Sequence, residues 1–223
     1  MNKFFRSLIA ISILASCSNT PELETGEIKT LAILKQAFQQ SNQPKKFIDA
    51  RLLLDREQID KTKAPVLFVE LQSGQNGTLI PYPGQGVGKT WLGADGATIT
   101  LDRGILKATR GMGDDMMGSF SSMPNWSKIK PISGYYSRKI SYIDGNNKIS
   151  KRTLQCVIKK YNQQEFHEIW GLKFHLMKFE ETCKKNGSKI KNIYYLDNEE
   201  IVRKSYQYHS DTVGYITTER LDR

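Results

Sequence analysis

A chain of 223 residues, 25% charged and 39% hydrophobic, has the size of one β-rich domain or, less readily, two small ones. Its formal charge of +10, from 33 Lys and Arg against 23 Asp and Glu, points to anionic neighbours such as lipid phosphate or acidic polysaccharide. The lysines are spread rather than clustered, so a merely solvated surface is the plainer alternative, and three cysteines without histidines at ligand spacing exclude a zinc module.

The chain opens with Lys3 and Arg6 around Phe4 and Phe5, then the apolar run Leu8 to Leu14, then Ala15-Ser16-Cys17. A basic start, a short apolar run and small residues make a secretory leader over 1–16, and the run is too short to span a bilayer. Export argues against nucleic acid as a partner. Leu14-Ala15-Ser16-Cys17 resembles the lipobox of bacterial lipoproteins, which implies acylation of the Cys17 sulfur and a lipid anchor in the membrane. Ser18 after the cysteine implies the outer membrane, with the protein facing the periplasm. Residues 17–26 are small, polar and acidic and form the tether, and residues 27–223 form the folded domain. In the sequence EIKTLAILKQAFQQ over 27–40, Ile28, Leu31, Leu34 and Phe38 recur at helical spacing, which predicts one N-terminal helix ending before Pro44.

Beyond Pro44 short β-rich runs alternate with turn residues. Strands are predicted over 65–71, 78–82, 90–93, 97–101, 105–109, 134–142, 149–159, 167–179, 190–196, 200–208 and 214–218. Tight turns are expected at Gln75-Asn76-Gly77, Asp95-Gly96, Asp102-Arg103-Gly104, Asp144-Gly145, Asn162-Gln163-Gln164, Asn186-Gly187 and Asp197-Asn198. The fold class is therefore mainly β: an antiparallel meander forming a sandwich or barrel-like domain. Residues 111–131 read as a loop with at most one helical turn. Trp170, Leu172, Phe174 and Leu176 alternate with Lys173 and His175, which places His175 on the surface.

With Cys17 acylated, Cys156 and Cys183 remain in an oxidising compartment. They are expected to pair, stabilising the fold by about 3 kcal/mol, with two free buried thiols as the alternative. Gly84-Gln85-Gly86-Val87-Gly88-Lys89-Thr90 has the end of a phosphate loop, but Pro83 stands where the first glycine belongs and a hairpin follows instead of a helix, so no nucleotide is expected. Asp114-Asp115 near Arg110 offers carboxylates for glycan hydrolysis. Adjacent acids do not span a cleft, and pairing of Arg110 with one aspartate in a glycine-shaped turn is the favoured reading. His167, His175 and His209 have no nucleophile in a recognisable setting. Tyr135-Tyr136 and Tyr206-Gln207-Tyr208 suit sugar stacking or cross-strand packing.

Thr90-Trp91, Asp95-Gly96, Asp102 to Leu106 and the run Ala108 to Met116, ATRGMGDDM, followed by Glu181-x-Cys183, Asn192-x-Tyr194-Tyr195 and Ser205-x-Gln207, are together similar to the group 4 capsule polysaccharide lipoprotein family, also called YjbF or GfcB-like. Tyr195 stands where that family's pattern has tryptophan. The resemblance implies a noncatalytic outer-membrane lipoprotein, an accessory in capsule or exopolysaccharide secretion, with an outer-membrane barrel protein as partner. It brings no catalytic residue, metal or cofactor. Trp91, Arg110, Asp114 and Asp115 are the candidates for docking or glycan contact, and acidic polysaccharide is a further candidate ligand. The rival readings are a periplasmic glycan-processing enzyme and a binding module for anionic polysaccharide.

Overall fold

The computed structural model describes residues 49–83, 88–131, 134–185 and 187–223. The expected leader, the tether with Cys17 and the helix over 27–40 lie outside the described residues, as does 84–87 of the glycine-rich run. Among the described residues, two short helices precede the sheet. In α1 (Ala50–Leu53) the Asp49 side chain accepts from the Arg51 amide, and α2 (Arg56–Lys61) starts on a reciprocal Asp55 and Gln58 capping box.

Twelve strands follow: β1 (Leu67–Leu71), β2 (Asn76–Tyr82), β3 (Lys89–Gly93), β4 (Thr98–Asp102), β5 (Ile105–Arg110), β6 (Asp115–Ser121), β7 (Tyr136–Ile143), β8 (Ile149–Ile169), β9 (Leu172–Lys185), β10 (Ser188–Leu196), β11 (Val202–Ser210) and β12 (Gly214–Arg220). They form one antiparallel sheet in the order β5-β4-β3-β2-β1-β12-β11-β10-β9-β8-β7-β6. Every neighbour in space is a neighbour in sequence except one, the pairing of β1 with β12, where Leu67 faces Arg220 and Leu71 faces Ile216. First and last strands thus join, and the break in the ladder falls between β5 and β6. The sheet curls so that these two edges meet, making a nearly closed barrel.

Period-two alternation sorts the side chains into two cores. Leu67 and Val69 point into the barrel, where Trp91, Ile99, Leu106, Met116, Ile158 and Tyr194 pack with them. Phe68, between them, points out and packs with Ala50, Ile59, Ile169, Leu176 and Leu221. The outer core has a lid. Hairpin β8–β9 is 21 residues up and 14 back, and its tip arches across the outside of the sheet. His167 stacks on Tyr195 of β10 at 4.3 Å and Phe174 lies under Arg203 of β11. Trp170 Nε1 donates to Glu219 of β12 at 3.2 Å, and its ring meets Phe68 of β1 at 5.5 Å.

Three local expectations are corrected. Asn162-Gln163-Gln164 does not turn the chain: β8 runs on to Ile169, and the register with β9 shifts between Lys160 and Gln164 instead. An exposed polar bulge satisfies the same residues that a turn would and bends the hairpin over its lid position. The reversal comes at Trp170-Gly171, whose φ values of 48° and 78° are the left-handed pair of a tight hairpin. The turn expected around Asn76-Gly77 sits earlier, at 72–74, and β2 begins at Asn76. Within 111–131, Asp115–Ser121 is strand β6, with a single 3-10 turn at Trp126–Lys128 beyond it.

Candidate functional site

The run from Thr109 to Met116 closes the barrel. Strands β5 and β6 share no ladder, so side chains do the joining. Asp115 Oδ1 accepts from the Thr109 hydroxyl and the Met112 amide, both at 3.1 Å, and Oδ2 accepts from the Gly111 amide at 2.8 Å. The Met116 amide donates to Thr109 Oγ1 at 2.9 Å. Arg110 Nη1 donates to the carbonyls of Thr109 at 2.5 Å and Met116 at 3.1 Å. The expected pairing of Arg110 with an aspartate is thereby replaced by carbonyl capture, because Asp115 is already filled by donors closer to it in the turn. Gly111, at φ 82°, lies where a Cβ would stand 3.3 Å from Ala97 Cα, so this turn admits glycine far more readily than any other residue.

Asp114 faces away from its neighbour and accepts from the Thr212 hydroxyl at 2.5 Å. The two carboxylates therefore serve separate bonds and do not flank a common cleft.

Behind the seam, a strip of polar side chains runs inside the barrel. Thr109 Oγ1 lies 2.9 Å from Nε2 of the fully buried His209. Since the single Thr109 proton goes to Asp115, His209 must donate from Nε2, which leaves Nδ1 to accept, and that atom has no partner among the described residues. Burial pushes the His209 imidazole down to about 4, against the opposing pull of Asp115 and Asp114, so the ring is neutral.

Gln207 performs a similar service for the free edge of β5. Its Oε1 accepts from the Leu106 amide at 2.8 Å, and its Nε2 donates to the Gly104 carbonyl at 2.9 Å and to Ser205 Oγ at 2.8 Å. Gly104, at φ 80°, lets the Arg103-Gly104 turn press on Val202, where a Cβ would come within 2.4 Å.

Further along the strip, Glu181 is wholly buried and saturated. Tyr136 Oη donates to Oε1 at 2.6 Å, while Asn192 Nδ2 at 2.6 Å, Arg138 Nη2 at 2.9 Å and Tyr194 Oη at 3.0 Å donate to Oε2. Burial, reinforced by the Glu181 charge, pushes both phenols up and keeps them as donors. Burial opposes the Arg138 cation, but Glu181 outweighs it and the guanidinium is held above its ordinary range. A carboxylate with four donors and no access to solvent has no free lone pair for general base chemistry.

Cys156 and Cys183, opposite one another in β8 and β9, are bonded as a disulfide with Cα atoms 4.0 Å apart. Their sulfurs and a Glu181 oxygen lie within 4.8 Å of one another, yet the sulfurs are spent in the bond and Arg138 holds the carboxylate, so the trio does not present a ligand set. Trp91 sits inside the barrel at 1% exposure and offers no ring to a surface ligand. His175 is exposed, edge-on to Phe166 at 5.7 Å.

Residues 31–221 match the family described as group 4 capsule polysaccharide lipoprotein gfcB, YjbF. The chain belongs to that family. Among solved structures, the crystal structure of the hypothetical lipoprotein YmcC from Escherichia coli (K12) aligns with a TM-score of 0.71 over 92% of this chain and 98% of that chain. At 18% identity this is agreement of fold. No curated protein sequence matches the chain.

The residues that carry the family resemblance now have positions. Ala108 to Met116 is the seam, and Glu181, Cys183, Asn192, Tyr194, Ser205 and Gln207 all point into the barrel. Thr109, His209 and the Glu181 cluster were not among the candidate contact residues read from sequence, although Thr109 and Glu181 stand in the runs that carry the resemblance. The signal was present: Glu-x-Cys, Asn-x-Tyr and Ser-x-Gln-x-His place polar residues at alternate positions within β9, β10 and β11 beside apolar ones, on the face that must be buried.

Proposed function

We propose that the protein is a noncatalytic accessory lipoprotein of capsule or exopolysaccharide secretion, held by acyl chains on Cys17 at the periplasmic face of the outer membrane and docking there on an outer-membrane barrel partner. Membership of the capsule polysaccharide lipoprotein family carries this reading. Two features support it. The acids offered by the sequence for catalysis are each committed to structural bonds. The barrel is also filled by packed side chains and carries exposed Lys139, Lys184, Lys189 and Lys191 on its outer wall, where a membrane-spanning barrel presents an apolar band, so membrane attachment falls to the lipid.

The test is a chromosomal deletion in a strain that makes the polymer, complemented with wild type or Cys17→Ser. Deletion is expected to lower surface polysaccharide. Cys17→Ser is expected to lose palmitate labelling, leave the membrane fraction and fail to restore export. Crosslinking in envelopes should recover a barrel protein with the wild type. Unchanged polymer on deletion would overturn the role.

A further inference from the structure

The segment joining β6 to β7 has two faces. Met123, Trp126 and Ile129, each three residues from the next, are buried in the barrel, and Trp126 lies between Phe179 and Tyr194 at 5.1 Å from each. Trp126 Nε1 donates to the Arg103 carbonyl at 3.0 Å, and Arg103 Nη1 donates to Asn125 at 2.6 Å, so the segment is fastened to the β4–β5 turn. The three-residue period of a 3-10 turn leaves Pro124, Lys128 and Lys130 outside.

With Ser122, Gly134, Tyr135 and Tyr136 they line a surface groove of about 360 Å³, and none of the described lining residues is acidic. Its floor is rigid, because Tyr136 is buried and tied to Glu181, and Ser122 is tied to Ser137 by its amide at 3.2 Å. Its wall is open: Tyr135 is 75% exposed and makes no ring contact among the described residues. Lys128 has no acidic partner among them either.

An exposed aromatic face beside two ammonium groups, with a hydroxyl and no carboxylate, selects a ligand that is both ring-shaped and anionic. We infer that this groove binds a carboxylated sugar unit of an acidic polysaccharide, with the C–H face of the pyranose on Tyr135 and the carboxylate between Lys128 and Lys130. Its volume lies at the small end of ligand sites and suits a monosaccharide or disaccharide unit rather than a long segment. This deepens the secretion role proposed above and rests on it for the identity of the polymer. A free phosphate would gain nothing from Tyr135, whereas a sugar ring would.

The experiment uses the full-length lipidated protein in a polyoxyethylene detergent, titrated calorimetrically with trigalacturonic acid, with maltotriose and inorganic phosphate as neutral and non-sugar probes. Trigalacturonic acid is expected to bind and the other two not to compete. Tyr135→Ala and the double variant Lys128→Gln/Lys130→Gln should each weaken binding by about tenfold, Tyr135→Phe should keep it because the ring remains, and Lys189→Gln/Lys191→Gln in β10, three strands along the sheet from Tyr136, should change it less than about twofold. Equal loss in the Lys189 and Lys191 variant would mean general charge attraction and would overturn the site. Displacement of trigalacturonic acid by phosphate, or by phosphatidylglycerol in mixed micelles, would make the groove a headgroup site and overturn the sugar.

Cells separate this inference from the role. If deletion lowers surface polymer but the Tyr135→Ala, Lys128→Gln, Lys130→Gln triple variant restores it fully, the groove is wrong and the role stands. If the protein binds trigalacturonic acid as described but deletion changes nothing, the role is wrong and the groove stands.

Discussion

Asp115 and Asp114 are adjacent in sequence and unequal in the fold. Asp115 holds two turn amides and the Thr109 hydroxyl, and without it those donors lose their partner beside a packed core. Asp115→Ala should therefore cost about 2 kcal/mol, while Asp114→Ala, which gives up one exposed bond to Thr212, should cost under about 1 kcal/mol. Urea unfolding of both variants checks this, and equal effects would remove Asp115 from the closure. His209 adds a pH dependence. Its folded value of about 4 lies below the ordinary 6.5, so the fold holds the neutral ring and the unfolded chain takes up the proton first. Stability from this residue is complete above about pH 6.5 and declines as pH falls toward 4, by about 3 kcal/mol in all. His167 is lowered by burial too, so the isolating comparison is wild type against His209→Gln at pH 7 and pH 4.5. The wild type should lose more; parallel losses would place the acid sensitivity elsewhere.

Hairpin β8–β9 belongs to the element scale, since its base and its tip serve different cores. At the base, Cys156–Cys183 and Phe179 face the barrel, and at the tip Ile169, Trp170 and Phe174 cover Phe68 and the two helices. Trp170→Ala should cost about 3 kcal/mol by opening the outer core, with Glu219 still paired to Lys204 and the disulfide still formed. Thermal unfolding with a free-thiol count tests it, and an unchanged midpoint would mean that the tip is not part of the cooperative unit. The hairpin also shows where sequence reading ends. Asp95-Gly96 and Arg103-Gly104 were legible as turns because their chemistry is local, and both hold. Asn162-Gln163-Gln164 looked equally turn-like, but a bulge on an exposed face uses the same residues, and only the distant partners Tyr195, Arg203 and Phe68 decide where the strand bends. The alternation from Leu172 to Leu176 was readable for the same local reason, and it places His175 outside as expected. For the candidate site the boundary lies at the same place. The glycines and acids of 110–115 announced a demanding turn, while their partner His209 lies about a hundred residues away and nothing local points to it.

At the scale of the whole molecule, the fold is a meander joined end to end by β1 and β12 and cut between β5 and β6. Cutting a ring there leaves two bare strand edges, which ordinarily pair with other chains or exchange with solvent. Here side chains dress the edges: Thr109 takes the Met116 amide from inside, Arg110 takes the Met116 carbonyl from outside, and Gln207 reaches across the barrel to take the Leu106 amide and the Gly104 carbonyl. Sequence pattern alone left sandwich and barrel open because closure depends on these long-range side chains rather than on strand periodicity. The consequence is measurable by native-state hydrogen exchange, in which β5 and β6 should open at lower cost than β8 to β10, with Leu106 protected beyond its edge position. Gln207→Leu keeps the volume of the side chain and removes both bonds. Leu106 should then exchange markedly faster while the amides of β9 and β10 keep their protection. If Leu106 stays protected in that variant, Gln207 is not what closes the edge, and the two strands must meet through the backbone after all.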